Sequence, residues 1–193
     1  MNSFLGRILI VLGVASVLTF GLVSVEFLTR PQIEKNAETK LRKRILTAND
    51  IAYNDRNVND VFTSNVEVIK KGGETFYRTK DNAVSFIITG SGLWAPITTV
   101  VSMESDLTTI KGMSIISESE TPGLGSRVAE PSFLDEFHGK SVSPRIEIVK
   151  AGKAAGPNQV DGITGATMTS NAFQAILNSQ IKKMTAIYEG ASQ

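Results

Sequence analysis

The sequence contains no cysteine and only one histidine among its 193 residues. Without cysteine there is no disulfide framework, no thiolate metal or iron–sulfur site and no thiol nucleophile. A single histidine, His138, excludes paired axial haem ligands and a metal site built from several histidines. We therefore predict no metal site, and any redox activity requires an organic cofactor.

The chain also lacks an excess of charge of either sign. It has 20 basic and 19 acidic residues, and the part beyond residue 30 has 18 of each once Arg7, Arg30 and Glu26 are left out. A nucleic-acid-binding surface normally requires a basic patch. No nucleic-acid partner is therefore expected.

An uncharged apolar run extends from Ile8 to Val25, which is about the length that crosses a hydrocarbon core. We interpret residues 1–30 as a transmembrane anchor. The alternative is a cleaved signal peptide, because Arg7 precedes the run. The length of the run and the bulky segment Ser24–Phe27, which lacks a small-residue cleavage site, oppose cleavage. Basic residues flank both ends of the run, so charge alone leaves the orientation open.

Residues 31–62 are predicted to form a juxtamembrane helical linker. A helix is expected to start at Pro31, because apolar residues then recur every four positions, at Ile33, Ala37, Leu41 and Ile45. The basic residues between Lys40 and Arg44 lie on this helix. They are interpreted as a solvated face, with lipid headgroup contact as the alternative.

Residues 63–193 are predicted to form one α+β domain. Alternating apolar residues indicate strands that are separated by short polar or glycine-containing turns. The expected strand segments lie near residues 66–68, 76–77, 84–88, 97–103, 110–116 and 146–149. A short helix is expected from Pro131 to Phe137, and apolar residues from Phe173 to Ile187 have helical spacing. Strands followed by a closing helix predict a largely antiparallel, twisted sheet with a C-terminal helix.

Residues 161–170, DGITGATMTS, form a glycine-containing turn that leads into the last helix. The free N–H groups and positive dipole of a helix N-terminus attract phosphate. The alternative is an ordinary helix cap, since threonine and serine are common in that role.

Two shorter strings precede this turn. In Glu120–Gly125, ETPGLG, the proline fixes a backbone torsion and the glycines allow the main chain to approach a planar ligand. In Gly92–Trp94, GLW, the only tryptophan of the chain has an aromatic face suited to a ring system. The alternatives are an ordinary Pro-Gly turn and a buried core tryptophan.

The string DGITGAT resembles the flavinylation motif, Asp-x-x-Ser/Thr-Gly-Ala-Thr, of proteins that carry FMN as a phosphoester. Every defined position is filled, by Asp161, Thr164, Gly165, Ala166 and Thr167. The resemblance implies FMN esterified to Thr167 by a dedicated flavin transferase, with FAD as the FMN donor. It also implies that Leu93, Trp94, Glu120, Thr121, Gly123 and Leu124 surround the flavin ring, with Thr164 and Gly165 near the phosphate.

Taken in order, the anchor, GLW, ETPGLG and DGITGAT resemble the G subunit of Rnf complexes and its homologue, the C subunit of the sodium-pumping NADH:quinone reductase. The resemblance implies a single-pass subunit of a bacterial cytoplasmic membrane complex, with its domain on the outer, periplasmic face. It further implies electron relay beside other membrane subunits of an ion-translocating oxidoreductase. Two alternatives remain: a non-enzymatic docking module, and a flavinylated domain of another extracytoplasmic reductase.

Overall fold

The computed structural model describes residues 2–190 of the chain. The order of helices and strands is α1 (Asn2–Ala48), α2 (Val58–Asn65), β1 (Val66–Lys71), β2 (Glu74–Thr79), β3 (Val84–Ser91), β4 (Pro96–Met103), β5 (Ile110–Ser117), α3 (Pro131–Leu134), β6 (Glu147–Val149), β7 (Gln159–Asp161) and α4 (Thr167–Glu189). Short 3₁₀ helices at Gly125–Ala129 and Asp135–Phe137 flank α3. This arrangement confirms the predicted α+β class with an apolar N-terminal helix and a closing C-terminal helix.

The chain divides into two compact units, Met1–Thr39 and Lys40–Gln193. The first consists of most of α1, whose apolar side chains, including Leu9, Val17 and Phe20, are exposed. This helix is long and apolar enough to cross a membrane. The predicted helix start at Pro31 is wrong, because Pro31 lies inside α1. A proline removes one hydrogen bond from a helix, and here the residues on both sides still form helix.

The second unit is built around a five-stranded sheet in the order β1-β2-β3-β4-β5, in which every neighbouring pair is antiparallel. Successive side chains of a strand point to opposite faces of a sheet. On β2, Phe76 packs in one buried apolar cluster and Tyr77 in another. Val101 and Val100 on β4 divide in the same way, so the sheet is covered on both faces.

The larger apolar cluster lies between the sheet and α4. Phe76, Phe86 and Ile88 of the sheet are in the same cluster as Phe173 and Leu177 of α4, and all five are at most 2% exposed. The spacing of apolar residues predicted this helix, and its buried face confirms the prediction. The first turn of α4 is therefore held in a fixed place relative to the strands.

The smaller cluster joins the end of α1 and α2 to the opposite face. Ile45 and Leu46 pack with Phe62, Tyr77 and Val100. The neighbouring basic side chains take part in this contact: Arg42 lies over the ring of Phe62, 5.2 Å from its centroid, and Lys43 pairs with Asp55 at 2.5 Å. Arg42 and Lys43 therefore bind protein groups, in addition to any contact with solvent.

A second, two-stranded sheet was not predicted. β6 pairs with β7 in parallel, with Ile148 opposite Val160. The predicted strand near residues 146–149 corresponds to β6, whereas β7 carries only three residues. Asp161 is the last residue of β7, so this small sheet positions the start of the DGITGAT segment.

Candidate functional site

The DGITGAT segment forms a tight turn between β7 and α4. The N–H of Ala166 donates to the carbonyl of Ile163 at 3.0 Å, and Gly165 has a φ of +82°. This left-handed conformation strains residues that carry a side chain. A Cβ at Gly165 would also lie 3.3 Å from Leu124 Cδ2. The turn therefore requires glycine here and brings the ETPGLG loop against the start of α4.

Thr167 is the first residue of α4, and its side chain is exposed. Ala166 is the N-cap residue, and no side chain caps the helix. The alternative in which Thr167 caps this helix is therefore wrong. Within residues 4–190, the Thr167 hydroxyl has no hydrogen-bond partner.

The four hydroxyl groups of this region differ in accessibility. Thr164 is exposed and, like Thr167, makes no side-chain hydrogen bond within the described range. Thr169 is 1% exposed, and its hydroxyl donates to Glu120 Oε2 at 2.8 Å. Ser170 is 3% exposed, and its Oγ accepts the N–H of Ile163 at 3.2 Å. Of these four hydroxyl groups, the fold therefore leaves those of Thr164 and Thr167 exposed.

The first turn of α4 also presents unused backbone donors. Ser170 N–H donates to the carbonyl of Ala166 at 3.0 Å, which begins the helical hydrogen-bond pattern. The N–H groups of residues 167–169 precede this bond and have no partner within the helix. Together with the positive end of the helix dipole, they form a suitable site for a phosphate oxygen.

A cavity of about 430 Å³ lies beside Thr167. Its wall contains Thr164, Gly165 and Thr167 of the predicted site, together with residues 148–151, Gly162, Ile163, Ser170 and Asn171. Sequence reasoning missed residues 148–151 and Asn171. Their local sequence gives no signal, because the parallel pairing of β6 with β7 brings the 148–151 segment next to the turn.

The six predicted ring contacts lie outside the wall of this cavity. Five of them are exposed, whereas Glu120 is buried. Trp94 is 73% exposed, and Leu93 and Leu124 are 39% and 46% exposed. The alternative of a buried core tryptophan is therefore wrong. Met168, which was not predicted, is 66% exposed. These four apolar side chains are therefore accessible to a ligand or a partner.

The ETPGLG loop is held by its own backbone. The carbonyl of Thr121 accepts the N–H groups of Leu124 and Ser126, both at 3.1 Å. Gly123 has a φ of +74°, and its N–H donates to Ser126 Oγ at 3.1 Å. Thr121 and Gly123 are exposed at the surface of this loop. A Cβ at Gly123 would meet no atom within 4 Å, so its conformation, rather than crowding, requires glycine.

Glu120 connects the predicted motifs. Its side chain is 5% exposed, and its Oε1 accepts N–H groups from Trp94 at 3.0 Å and Ala95 at 3.4 Å. Its Oε2 accepts the Thr169 hydroxyl. Burial raises the pKa of Glu120, but these hydrogen bonds outweigh burial and hold the pKa below its ordinary value. The carboxylate is therefore charged at neutral pH.

Asp161 holds the other side of the turn. Its Oδ1 accepts the N–H groups of Ala154 at 2.8 Å and Lys153 at 2.9 Å. These backbone hydrogen bonds, that from Ala154 foremost, lower the pKa of Asp161. The carboxylate is thus ionised and fixes the segment that follows the cavity wall at residues 148–151.

Comparison with known proteins was consistent with this arrangement. Residues 92–182 match the family model described as "FMN-binding domain". This range begins at Gly92 and contains all three motifs. The match supports FMN as the cofactor of this domain.

The chain is also similar in sequence to subunits of one enzyme. It is 37% identical over 118 residues to the C subunit of the Na(+)-translocating NADH-quinone reductase of Vibrio anguillarum, a match that covers 58% of this chain and 44% of that protein. The corresponding protein of Yersinia pestis is 38% identical over 103 residues, covering 50% of this chain and 39% of that protein. The chain therefore spans less than half the length of these curated relatives.

Solved structures share the fold. The structure of the C subunit from Parabacteroides distasonis has a TM-score of 0.69 at 24% identity, and the match covers 83% of this chain and 96% of that one. The structure from Shewanella oneidensis has a TM-score of 0.67 at 21% identity, with 76% and 99% covered. Residues 92–182 of this chain therefore match an FMN-binding domain, and the chain is similar in sequence and fold to C subunits of sodium-translocating NADH:quinone reductases.

Proposed function

We propose that this protein carries FMN as a phosphoester on Thr167 and relays electrons within an ion-translocating membrane complex. The observation that carries the proposal is the state of the Thr167 hydroxyl, which is exposed and without a hydrogen-bond partner in the described part of the chain. It begins α4 within a domain that matches an FMN-binding family.

The residues around Thr167 fit a flavin phosphate. The N–H groups at the start of α4 supply donors, and Thr164 and Gly165 lie beside Thr167 on the cavity wall. Lys150 contributes a cationic side chain to the same wall. Asp161 holds the neighbouring loop, and Ala166 is buried under the turn. Donors of this kind match the negative charge of a phosphodiester.

The exposed apolar surface fits the flavin ring. Leu93, Trp94 and Leu124 would contact the isoalloxazine, with Thr121 and Gly123 at its margin. Glu120 holds these loops in place. FMN supplies one- and two-electron redox chemistry when it is bound, and the protein supplies its position and electrostatic surroundings. No residue of this chain is required as a catalytic acid or base.

The proposed setting is a bacterial cytoplasmic membrane. Residues 1–30 would form a retained, single-pass anchor, residues 31–62 a helical linker, and residues 63–193 the FMN-carrying domain on the periplasmic face. Other subunits of an NADH:quinone reductase-type complex would be its electron-transfer partners, as the names of its relatives suggest. A flavin transferase would attach the FMN, because an isolated threonine hydroxyl is a weak nucleophile.

Mass spectrometry of the intact chain, expressed in a host with a flavin transferase, tests the attachment. Wild type should carry one FMN-sized mass increment, and Thr167→Ala should lose it. Thr167→Ser keeps a hydroxyl at the same position and should retain the increment. Thr164→Ala removes the other accessible hydroxyl and serves as the matched control, which should also retain it.

Three outcomes would contradict all or part of the proposal. An FMN increment on Thr167→Ala that disappears in the double variant with Thr164→Ala would move the attachment to Thr164. A colourless wild-type chain from a host with an active transferase would favour a docking module without flavin. A flavinylated chain that copurifies with a different reductase would support a carrier domain for that enzyme.

A further inference from the structure

We propose that Glu120 is a positioning residue, whose buried carboxylate fixes the Trp94 loop to the first turn of α4 and places a negative charge beside the flavin site. The charge effect rests on the function proposed above, whereas the structural effect does not. The two carboxylate oxygens accept hydrogen bonds from different segments. Oε1 accepts from the backbone N–H groups of residues 94 and 95, and Oε2 accepts from the Thr169 hydroxyl.

The hydrogen bonds of Glu120 link segments that are distant in the sequence. Trp94 lies 26 residues before Glu120, and Thr169 lies 49 residues after it. Thr169 is two positions from Thr167, so the same carboxylate restrains the proposed attachment site and the proposed ring contacts. Because Glu120 is 5% exposed and both oxygens have protein donors, its geometry is that of a clamp.

Two glycines of the motifs make room for this carboxylate. A Cβ at Gly92 would lie 2.5 Å from Glu120 Oε1 and 2.6 Å from the carbonyl of Ala95. A Cβ at Gly125 would lie 2.9 Å from Glu120 Oε2 and 2.7 Å from Thr169 Oγ1. These separations are shorter than the contacts that a Cβ atom makes in real proteins. The first glycine of GLW and the last of ETPGLG are thus explained by packing around Glu120.

Neutral hydrogen-bond donors, rather than cationic side chains, stabilise the negative charge of Glu120 in the described part of the chain. Its hydrogen-bond donors are neutral groups, and within the described residues no lysine or arginine forms an ion pair with it. A fixed negative charge near a flavin disfavours the addition of electrons, because electrons and the carboxylate repel each other across a region of low dielectric. Glu120 should therefore lower the reduction potential of the bound flavin.

The clamp can be tested without flavin, in the full chain in detergent with Thr167→Ala. Adding Glu120→Ala removes the acceptor of the Trp94 and Ala95 N–H groups. Their amide exchange should accelerate by about tenfold or more, the expected effect of losing a hydrogen bond to a charged group. Trp94 is the only tryptophan, so its fluorescence anisotropy decay should also show a larger fast component.

Glu120→Gln separates geometry from charge. A glutamine carbonyl can still accept from Trp94 and Ala95, and the Thr169 hydroxyl can rotate to accept from the amide nitrogen. This variant should restore slow exchange. In the flavin-loaded chain it should raise the flavin reduction potential in a spectroelectrochemical titration. Glu67→Gln, which removes an exposed carboxylate on β1 at the opposite edge of the sheet, is the control and should leave both unchanged.

Each arm has an outcome that overturns its part of the proposal. Unchanged amide exchange at Trp94 in Glu120→Ala would refute the clamp. If Glu120→Ala does not fold, Thr169→Val repeats the test, because it removes only the hydrogen bond from Thr169 to Glu120 Oε2. An unchanged potential in Glu120→Gln would refute the charge effect. Absence of flavin from the wild-type chain would refute the proposed function and the charge effect, while the exchange measurement still decides the clamp.

Discussion

A buried polar contact where α1 ends leads to a quantitative prediction. Asn49 is 3% exposed, and Ser85 on β3 and Ser102 on β4 are fully buried. Asn49 Nδ2 donates to Ser85 Oγ at 2.7 Å and to the carbonyl of Ile45 at 2.8 Å, and Ser102 Oγ donates to Asn49 Oδ1 at 2.6 Å. This network lies beside an otherwise apolar cluster that includes Ile45 and Val100.

Asn49→Ala should lower the free energy of unfolding by about 3–5 kcal/mol. Each of the three hydrogen bonds contributes about 1 kcal/mol, and the serine hydroxyls left without a partner in a dry environment add a desolvation cost of about 1 kcal/mol or more. That loss is a large fraction of the stability of an ordinary domain. The second compact unit should therefore unfold at a much lower urea concentration.

Pulse proteolysis of the full chain in detergent, over a urea series, measures this change. Asn36→Ala is the control, because Asn36 lies on α1, is exposed and, among the described residues, bonds through its side chain only to Gln32. It should shift stability by less than about 0.5 kcal/mol. Replacing the network as a whole, with Asn49→Leu, Ser85→Ala and Ser102→Ala, should recover much of the loss. A loss below about 1 kcal/mol for Asn49→Ala would show that the network is not a stabilising contact.

Three further predictions concern the site and the sheet. Trp94→Leu should keep the covalent FMN, because the proposed attachment depends on residues 161–167. It should change the absorbance, fluorescence or reduction potential of the flavin. Identical spectra and potential would show that Trp94 does not contact the flavin. Gly112→Ala should destabilise the second unit in thermal unfolding, because its Cβ would lie 2.5 Å from the backbone carbonyl of Ala48, which no rotamer change can relieve; unchanged melting would contradict this packing. The pKa of Asp161 is lowered in the folded chain, so its stabilising effect should be complete above its ordinary pKa and be lost as pH falls through the folded pKa. The urea midpoints of Asp161→Asn and wild type should therefore differ at neutral pH and converge in acid. A difference that is constant with pH would refute this linkage.

The predicted parts of the fold are those with a local pattern. The alternation in β3 and the helical spacing from Phe173 onward each specify an element, because their period matches the geometry of the backbone. Thr164, Gly165 and Thr167 of DGITGAT could be expected to lie together because they are close in the sequence, and they line one cavity. The clamp at Glu120 could not, because an acidic residue in a loop is normally exposed. Its burial depends on partners 26 positions before it and 49 after it.

Long-range contacts also explain the missed cavity wall and the buried asparagine. Residues 148–151 reach the site only because β6 pairs with the three-residue strand β7. Asparagine is usually exposed, but Asn49 is buried and forms hydrogen bonds with two serines that lie 36 and 53 positions after it. Pro31 illustrates the opposite case, in which a strong local signal for a helix start was overruled by helix-forming residues on both sides.

Under the proposed attachment, the selection of one hydroxyl among four would be a property of the folded chain. In the sequence, Thr164, Thr167, Thr169 and Ser170 are close together, and their hydroxyl groups have similar intrinsic reactivity. Folding directs Thr169 towards Glu120 and Ser170 towards the Ile163 N–H, so both are removed from solvent. A modifying enzyme that acts on the folded domain would meet only the first two. Thr167 differs from Thr164 in standing on the first turn of α4, where the free N–H groups can bind the phosphate that is being transferred. The carboxylate proposed to order the Trp94 loop would thus also restrict the choice of attachment site, because it binds the Thr169 hydroxyl.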